Sequence, residues 1–238
     1  MSRIGRLIGI GVGPGDPELI TVKAYRMLKE SPVIAYPKKR MGEKSYALAI
    51  VETYINPLEK EMLGLVFPMT KNRAVLEKEW HHTVEKVWER LSQGKDVAFV
   101  TEGDPFLYST FIHMSRVMQQ QHPEVEIVTV PGISSINGAA AKLNLPLADG
   151  DEQVVIVPAN TDREAMKKAL LEHDTVIFLK VAKVLDLIID VLEELDLLNQ
   201  AAVVTKVTSR QEMIWRQVAE LKGQKLNYLT LMVVKKGC

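Results

Sequence analysis

The 238-residue chain has one cysteine, Cys238, at its last position. A disulfide within the chain and a cysteine-based zinc site are therefore both excluded, which suits a reducing compartment. It has no excess of either charge: thirty Lys and Arg balance thirty Asp and Glu. A neutral chain has no global field to hold it on nucleic acid or an anionic membrane, so any anionic ligand must be met locally. Nowhere do 18 apolar residues follow one another, and Met1 to Gly11 carries Arg3 and Arg6 without the apolar core of a signal peptide. A soluble, cytoplasmic protein with no membrane or nucleic-acid partner is expected. With 47% hydrophobic and 25% charged residues the composition is that of a globular protein, and the length allows one large domain or two small ones.

Several familiar catalytic signatures are missing as well. A dinucleotide fingerprint begun at Gly9 and Gly11 would need its third glycine at Pro14, and one begun at Gly11 and Gly13 would need it at Asp16. Both registers fail. No Gly-Lys-Ser or Gly-Lys-Thr follows, so a P-loop is absent, and Gly103-Asp-Pro-Phe lacks the serine of a nucleophile elbow. None of His81, His82, His113, His122 and His173 lies in a zinc-ligand spacing, so no metal is expected.

What is present is an alternation of strand and helix. The apolar run Leu7 to Val12 meets the glycine-rich Gly11-Val-Gly-Pro-Gly-Asp-Pro17, after which apolar residues recur at helical spacing. Asp16 is suited to cap that helix and Pro17 to open it. Further strands are expected at 32–36, 64–67, 96–101, 125–130, 154–157, 175–179, 202–207, 213–219 and 229–234. Helices are expected at 45–54, 73–91 with a stop at Gly94, 107–120, 136–143, 163–171 and 184–195. Met114, Met118 and Met166 are read as core or helix-face residues. Glu102-Gly-Asp-Pro105 repeats the chemistry of the first loop, an aspartate before a proline and a helix. The polar segment Gln119 to Pro123 marks the expected boundary, giving α/β domains at 1–120 and 121–238, the second with a mixed sheet because its last two strands have no helix between them. Three strand-end loops, Gly11 to Pro17, Glu102 to Tyr108 and Pro131 to Ser135, are rich in glycine and small polar residues. Ligands of open α/β sheets bind beyond the carboxyl ends of the strands, so the three are expected on one rim.

The segments Gly9 to Thr21, Glu102-Gly-Asp-Pro-Phe-Leu-Tyr-Ser-Thr110, Pro131-Gly-Ile-Ser-Ser135 and Tyr228-Leu-Thr-Leu-Met232 resemble the tetrapyrrole (corrin/porphyrin) methyltransferase family. Within it they are most similar to the branch that methylates C-20 of precorrin-2 or cobalt-factor II in cobalamin biosynthesis. The resemblance implies two α/β domains with S-adenosylmethionine bound in a cleft between them, S-adenosylhomocysteine as product, and a homodimer. It also implies that Pro14 borders the cleft, that Gly103, Asp104 and Leu107 line the cofactor, and that Ser134 and Ser135 are the small residues that bind it. Leu179, Thr208 and Thr230 match later cofactor contacts. Glu102 stands where many relatives have glycine, and it faces either the sulfonium or solvent.

Methyl transfer from a sulfonium is an in-line displacement that demands positioning and a dry site, so a conspicuous catalytic dyad is not required. A base would help remove the C-20 proton, and Asp104, Tyr108, Glu102 and His113 are the candidates. A substrate of this class carries eight carboxylates. Lys38, Lys39 and Arg40 would grip its arms, with Lys71 and Arg73 as further cations, or else form a solvated basic turn. Whether the macrocycle already holds cobalt stays open. So do a same-fold methyltransferase acting on another corrinoid, on RNA or on a translation factor, and a noncatalytic tetrapyrrole-binding protein.

Overall fold

A computed structural model of the chain describes residues 3–38, 45–67 and 73–237, apart from the side chains of 73–75. In chain order the first elements are β1 (Leu7–Gly11), α1 (Val22–Glu30), β2 (Val33–Lys38), α2 (Tyr46–Val51), β3 (Glu61–Val66), α3 (Arg73–Leu91), β4 (Val97–Thr101), α4 (Phe111–Gln121) and β5 (Ile127–Val130). These strands form one parallel sheet in the order β3-β2-β4-β1-β5. β1 and β4 are buried along their whole length, as strands covered on both faces must be, and their continuous apolar runs reflect that. Ile8 and Ile10 pack with Ala24, Leu28, Ile50 and Val51 of α1 and α2. On the opposite face Leu7, Val97 and Phe99 pack with Val84, Val87, Leu91 and Met114 of α3 and α4. α3 ends where expected, with Gly94 at φ 79° just beyond it.

The first compact unit runs from Met1 to Ser134. The division expected at residue 120 therefore falls later, because β5 pairs with β1 from Leu7↔Ile127 to Ile10↔Val130 and completes the first sheet. Two helix starts also move. Asp16 caps only the single 3-10 turn Pro17–Leu19, its Oδ1 accepting from Glu18 N at 2.9 Å. α1 begins later, at Val22, where Thr21 Oγ1 accepts from Ala24 N at 3.1 Å. α4 begins at Phe111 rather than Leu107, since Tyr108 sits at φ 54°, outside the helical region.

The second compact unit runs from Ser135 to Cys238. It comprises α5 (Ser135–Leu143), β6 (Val154–Pro158), α6 (Arg163–Glu172), β7 (Thr175–Leu179), α7 (Leu185–Glu194), β8 (Ala201–Thr205), β9 (Met213–Trp215) and β10 (Thr230–Lys235). The sheet order is β6-β7-β10-β8-β9, with β6 and β7 parallel and the other pairs antiparallel, so the sheet is mixed as expected. β9 is shorter than the expected 213–219, because Val218–Leu221 turns into a 3-10 segment and buries Val218 and Leu221 against α7. Val176, Phe178, Val203, Met232 and Val234 pack with Met166, Leu170, Ile188 and Leu192 to make this unit's core. Met114, Met118 and Met166 are all buried core residues.

Candidate functional site

In the first unit β4, β1 and β5 are neighbours and parallel, so the loops that follow them leave the same end of the sheet. The pairing continues past the strands. Val12 N donates to Thr101 O at 3.0 Å and Gly103 N to Gly13 O at 2.8 Å, and Gly13 and Gly103 form an isolated bridge. Both glycines have left-handed backbone, at φ 83° and 64°, a region open to glycine at little cost. The third loop closes from the other side. A Cβ built on Gly132 would stand 2.1 Å from Gly103 O and 2.7 Å from Gly11 Cα, and one on Gly11 would stand 2.6 Å from Gly132 N. The backbones of the three loops thus touch directly, with no side chain between them.

Asp104 fastens this arrangement. Its Oδ1 accepts from Phe106 N at 2.8 Å, repeating the turn made by Asp16, and its Oδ2 accepts from Gly132 N at 3.1 Å. Hydrogen bonds from amides to a carboxylate are among the stronger neutral-to-ionic contacts. Leu107 N donates to Asp104 O at 3.3 Å, and Leu107 is half-buried while Pro14 is buried. Ser109 Oγ lies 2.9 Å from Thr101 Oγ1 and accepts from Phe111 N at 3.1 Å, tying the end of the loop to β4 and to the first turn of α4. Glu102 is half-buried and Tyr108 is exposed, its left-handed backbone costing about 1–2 kcal/mol. His113 belongs elsewhere: its ring packs against Trp80 at 4.8 Å, and burial, then Arg116, holds its pKa below the usual histidine value. The structure therefore brings Pro14, Gly103, Asp104, Leu107 and Tyr108 to one rim and leaves His113 in an aromatic contact between α3 and α4. Ser134, which is buried, ends this unit.

Ser135 opens the second unit as the first residue of α5. In this unit Leu179 at the end of β7 pairs with Leu231, and Thr230 pairs with Thr205 at the end of β8. Leu179, Thr230 and the Thr205 to Thr208 turn therefore lie at one end of the second sheet. Thr230 Oγ1 donates to Asn227 O at 2.5 Å, so the 2.7 Å contact between Thr205 Oγ1 and Thr230 Oγ1 has Thr205 as donor. The one proton of Thr230 is thus used inside the protein. Lys180, Lys206 and Thr208, all at this end, have left-handed backbone at φ 62°, 46° and 65°. Such strain in a β-branched residue persists only where its surroundings fix it, here through the bond from Thr208 N to Glu212 Oε2. Nothing in the sequence signalled these three conformations.

Lys38 is the last residue of β2. Lys39, Arg40 and Lys71 lie outside the described residues, as does the side chain of Arg73. Among the described residues no group of three or more His, Cys, Asp or Glu side chains is disposed to hold a metal ion, and no helix is long and apolar enough to cross a membrane.

Residues 6–222 match the family model of the tetrapyrrole (corrin/porphyrin) methylases. The chain is 36% identical over 234 residues to the Methanocaldococcus jannaschii protein named "Probable cobalt-precorrin-2 C(20)-methyltransferase", covering 98% of this chain and 97% of that one. It is 30% identical to the Sinorhizobium precorrin-2 C(20)-methyltransferase, covering 97% and 95%. Among solved structures, the uroporphyrin-III C-methyltransferase of Thermus thermophilus complexed with S-adenosylhomocysteine superposes with a TM-score of 0.65, at 22% identity and 98% coverage of both chains.

Proposed function

Because the chain belongs to the tetrapyrrole (corrin/porphyrin) methylases, we infer that it transfers the methyl group of S-adenosylmethionine to C-20 of a precorrin-2-type macrocycle. The observation that carries this reading is 36% identity over nearly the whole length of both chains to a protein named for that reaction. S-adenosylmethionine supplies an electrophilic methyl carbon: its bond to sulfur breaks as the bond to C-20 forms, sulfur leaves as a neutral thioether, and C-20 then loses its proton.

The residues of the three-loop rim fit such a ligand. A Cβ at Gly11 or Gly132 would run into the backbone of the neighbouring loops, so these glycines let the three loops close into one bare-backbone floor, and close approach to a ligand is a further use of glycine. We assign Pro14, Gly103, Leu107, Ser134, Ser135, Leu179, Thr208 and Thr230 to cofactor binding, with Thr230 acting through its backbone or as an acceptor. Asp104 holds the loops in register, each of its oxygens receiving a backbone amide. Asp104, Tyr108 and Glu102 are the candidates on that rim for receiving the C-20 proton. Lys38, Lys39 and Arg40 bind carboxylate arms. The protein acts in the cytoplasm, as a homodimer, without nucleic acid.

The relative with the higher identity is named for a cobalt-containing substrate and the other for the metal-free one, which favours the cobalt-loaded macrocycle. The test is incubation with labelled S-adenosylmethionine and either metal-free or cobalt-loaded precorrin-2, read by mass spectrometry. One added CH2 unit at C-20 is expected, faster with cobalt; no transfer to either macrocycle would refute the reading. Light scattering reporting only monomer at micromolar concentration would refute the dimer.

A further inference from the structure

Lys38 does not simply project from the end of its strand. Its ammonium lies over the Tyr36 ring, 5.1 Å from the centroid, within the range of a cation–π contact. Tyr36 pairs with Gly64 on the neighbouring β3, and Lys38 with Val66. The lysine chain crosses the gap that Gly64 leaves: a Cβ there would stand 2.6 Å from Lys38 Cε and 2.9 Å from Nζ. Gly64 lies in a strand and is not among the positive-φ glycines, so its backbone gives no reason for the missing side chain. Lys38 does. Tyr36 is itself fixed, being 7% exposed and packed in the core beneath α1 and α2.

The seat lies on the side of the sheet's end that matters. Ala35 pairs with Phe99, and Lys38 and Glu102 each stand three residues beyond that pair. The lysine is therefore level with the start of the loop that carries Gly103 and Asp104. A free lysine would lose considerable rotamer entropy on meeting a carboxylate, and a seat that already fixes it lowers that loss.

We propose that Gly64 and Tyr36 are positioning residues which hold the Lys38 ammonium in place for a carboxylate arm of the macrocycle, so that Gly64 is a specificity determinant for the polycarboxylate. This rests on the tetrapyrrole reading above. Gly64→Ala displaces only the far end of a flexible side chain and leaves the charge in the protein, whereas Lys38→Met removes the charge and keeps the length.

The experiment is a double-mutant cycle on the methylation of precorrin-2, with the affinity for S-adenosylhomocysteine and the melting temperature measured alongside. Each single variant should raise the substrate KM about three- to fivefold, leaving kcat, S-adenosylhomocysteine affinity and melting temperature near wild type. The double variant should be no worse than Lys38→Met alone. A Gly64→Ala protein with unchanged or lowered KM overturns the seat, as does additivity of the two changes or a wild-type KM for Lys38→Met. If the wild-type protein itself methylates neither form of the macrocycle, the functional reading has failed, an outcome distinct from active wild type with insensitive variants.

Discussion

Replacing Gly132 by alanine tests the three-loop knot at its tightest point. The new Cβ would stand 2.1 Å from Gly103 O and 2.7 Å from Gly11 C and Cα, against an ordinary contact of 3.4 Å or more. All three neighbours are backbone, so no rotamer change relieves the clash and one loop must retreat by about an ångström. Retreat stretches the 3.1 Å bond from Gly132 N to Asp104 Oδ2. Overpacking costs about 1–3 kcal/mol and a lost bond to a charged group about 1.5–3 kcal/mol. If part of each is recovered by relaxation, a net loss of about 3 kcal/mol remains, which for a chain of this size lowers the melting temperature by roughly 6–12 °C. The cores below the loops are untouched, so the variant should fold. Calorimetry should show S-adenosylhomocysteine binding weakened at least about tenfold, equivalent to about 1.4 kcal/mol. Gly223→Ala is the control: it has φ 78° and open space around its Cβ position, so it should cost about 1–2 kcal/mol of stability and no ligand affinity. Gly132→Ala with a wild-type melting temperature and wild-type affinity would refute the assignment of these loops as one rigid floor.

Asp104→Ala strands the amides of Phe106 and Gly132 and should weaken S-adenosylhomocysteine binding by about one to two orders of magnitude. Asp104→Asn keeps one acceptor and should fall between, with the pH profile of kcat unchanged in shape; a lost limb would show that Asp104 titrates in catalysis. Asp96 accepts from Arg6 N at 2.8 Å and from its guanidinium at 2.6 Å. Burial alone would raise the Asp96 pKa, but the hydrogen bonds and charge of Arg6 outweigh it and hold the pKa below the ordinary carboxylate value. A depressed carboxylate stabilises the fold fully above its unfolded pKa of about 3.9 and loses that contribution as pH falls through the folded value. Urea denaturation should therefore show Asp96→Asn less stable by about 1–3 kcal/mol at pH 7 and nearly equal to wild type at the lowest pH where both fold; an equal deficit at both would refute the linkage.

The fold was legible wherever a local signal decided it. Continuous apolar runs announced the strands and helical periodicity announced α3 over 73–91; the structure adds that Val84, Val87 and Leu91 are its face toward the sheet. What local pattern does not contain is which sheet a strand joins. The run at 125–130 reads the same whether it opens a second domain or completes the first. Its pairing with β1 depends on contacts some 120 residues away in sequence. The polar stretch Gln119 to Pro123 is the last turn of α4 and its C-terminal cap, and polar, proline-ended sequence alone cannot distinguish that from a linker. The start of α1 is ambiguous in sequence for a different reason: Asp16 and Thr21 are both good caps, and the first is satisfied by a single turn.

The site divides along the same line. The repeated Asp-Pro was visible, and each aspartate does accept the amide two residues on. The second oxygen of Asp104 reaches Gly132, 28 residues later, and no periodicity encodes that contact. Yet it gives the residue a structural part. By bonding amides of two different loops Asp104 braces the backbone there, and an in-line displacement depends on such rigidity. The same logic accounts for a sequence without a conspicuous dyad. Where the chemistry demands placement more than proton transfer, the decisive residues are glycines that permit close approach and side chains that hold the backbone still, and both look structural until the loops are seen together.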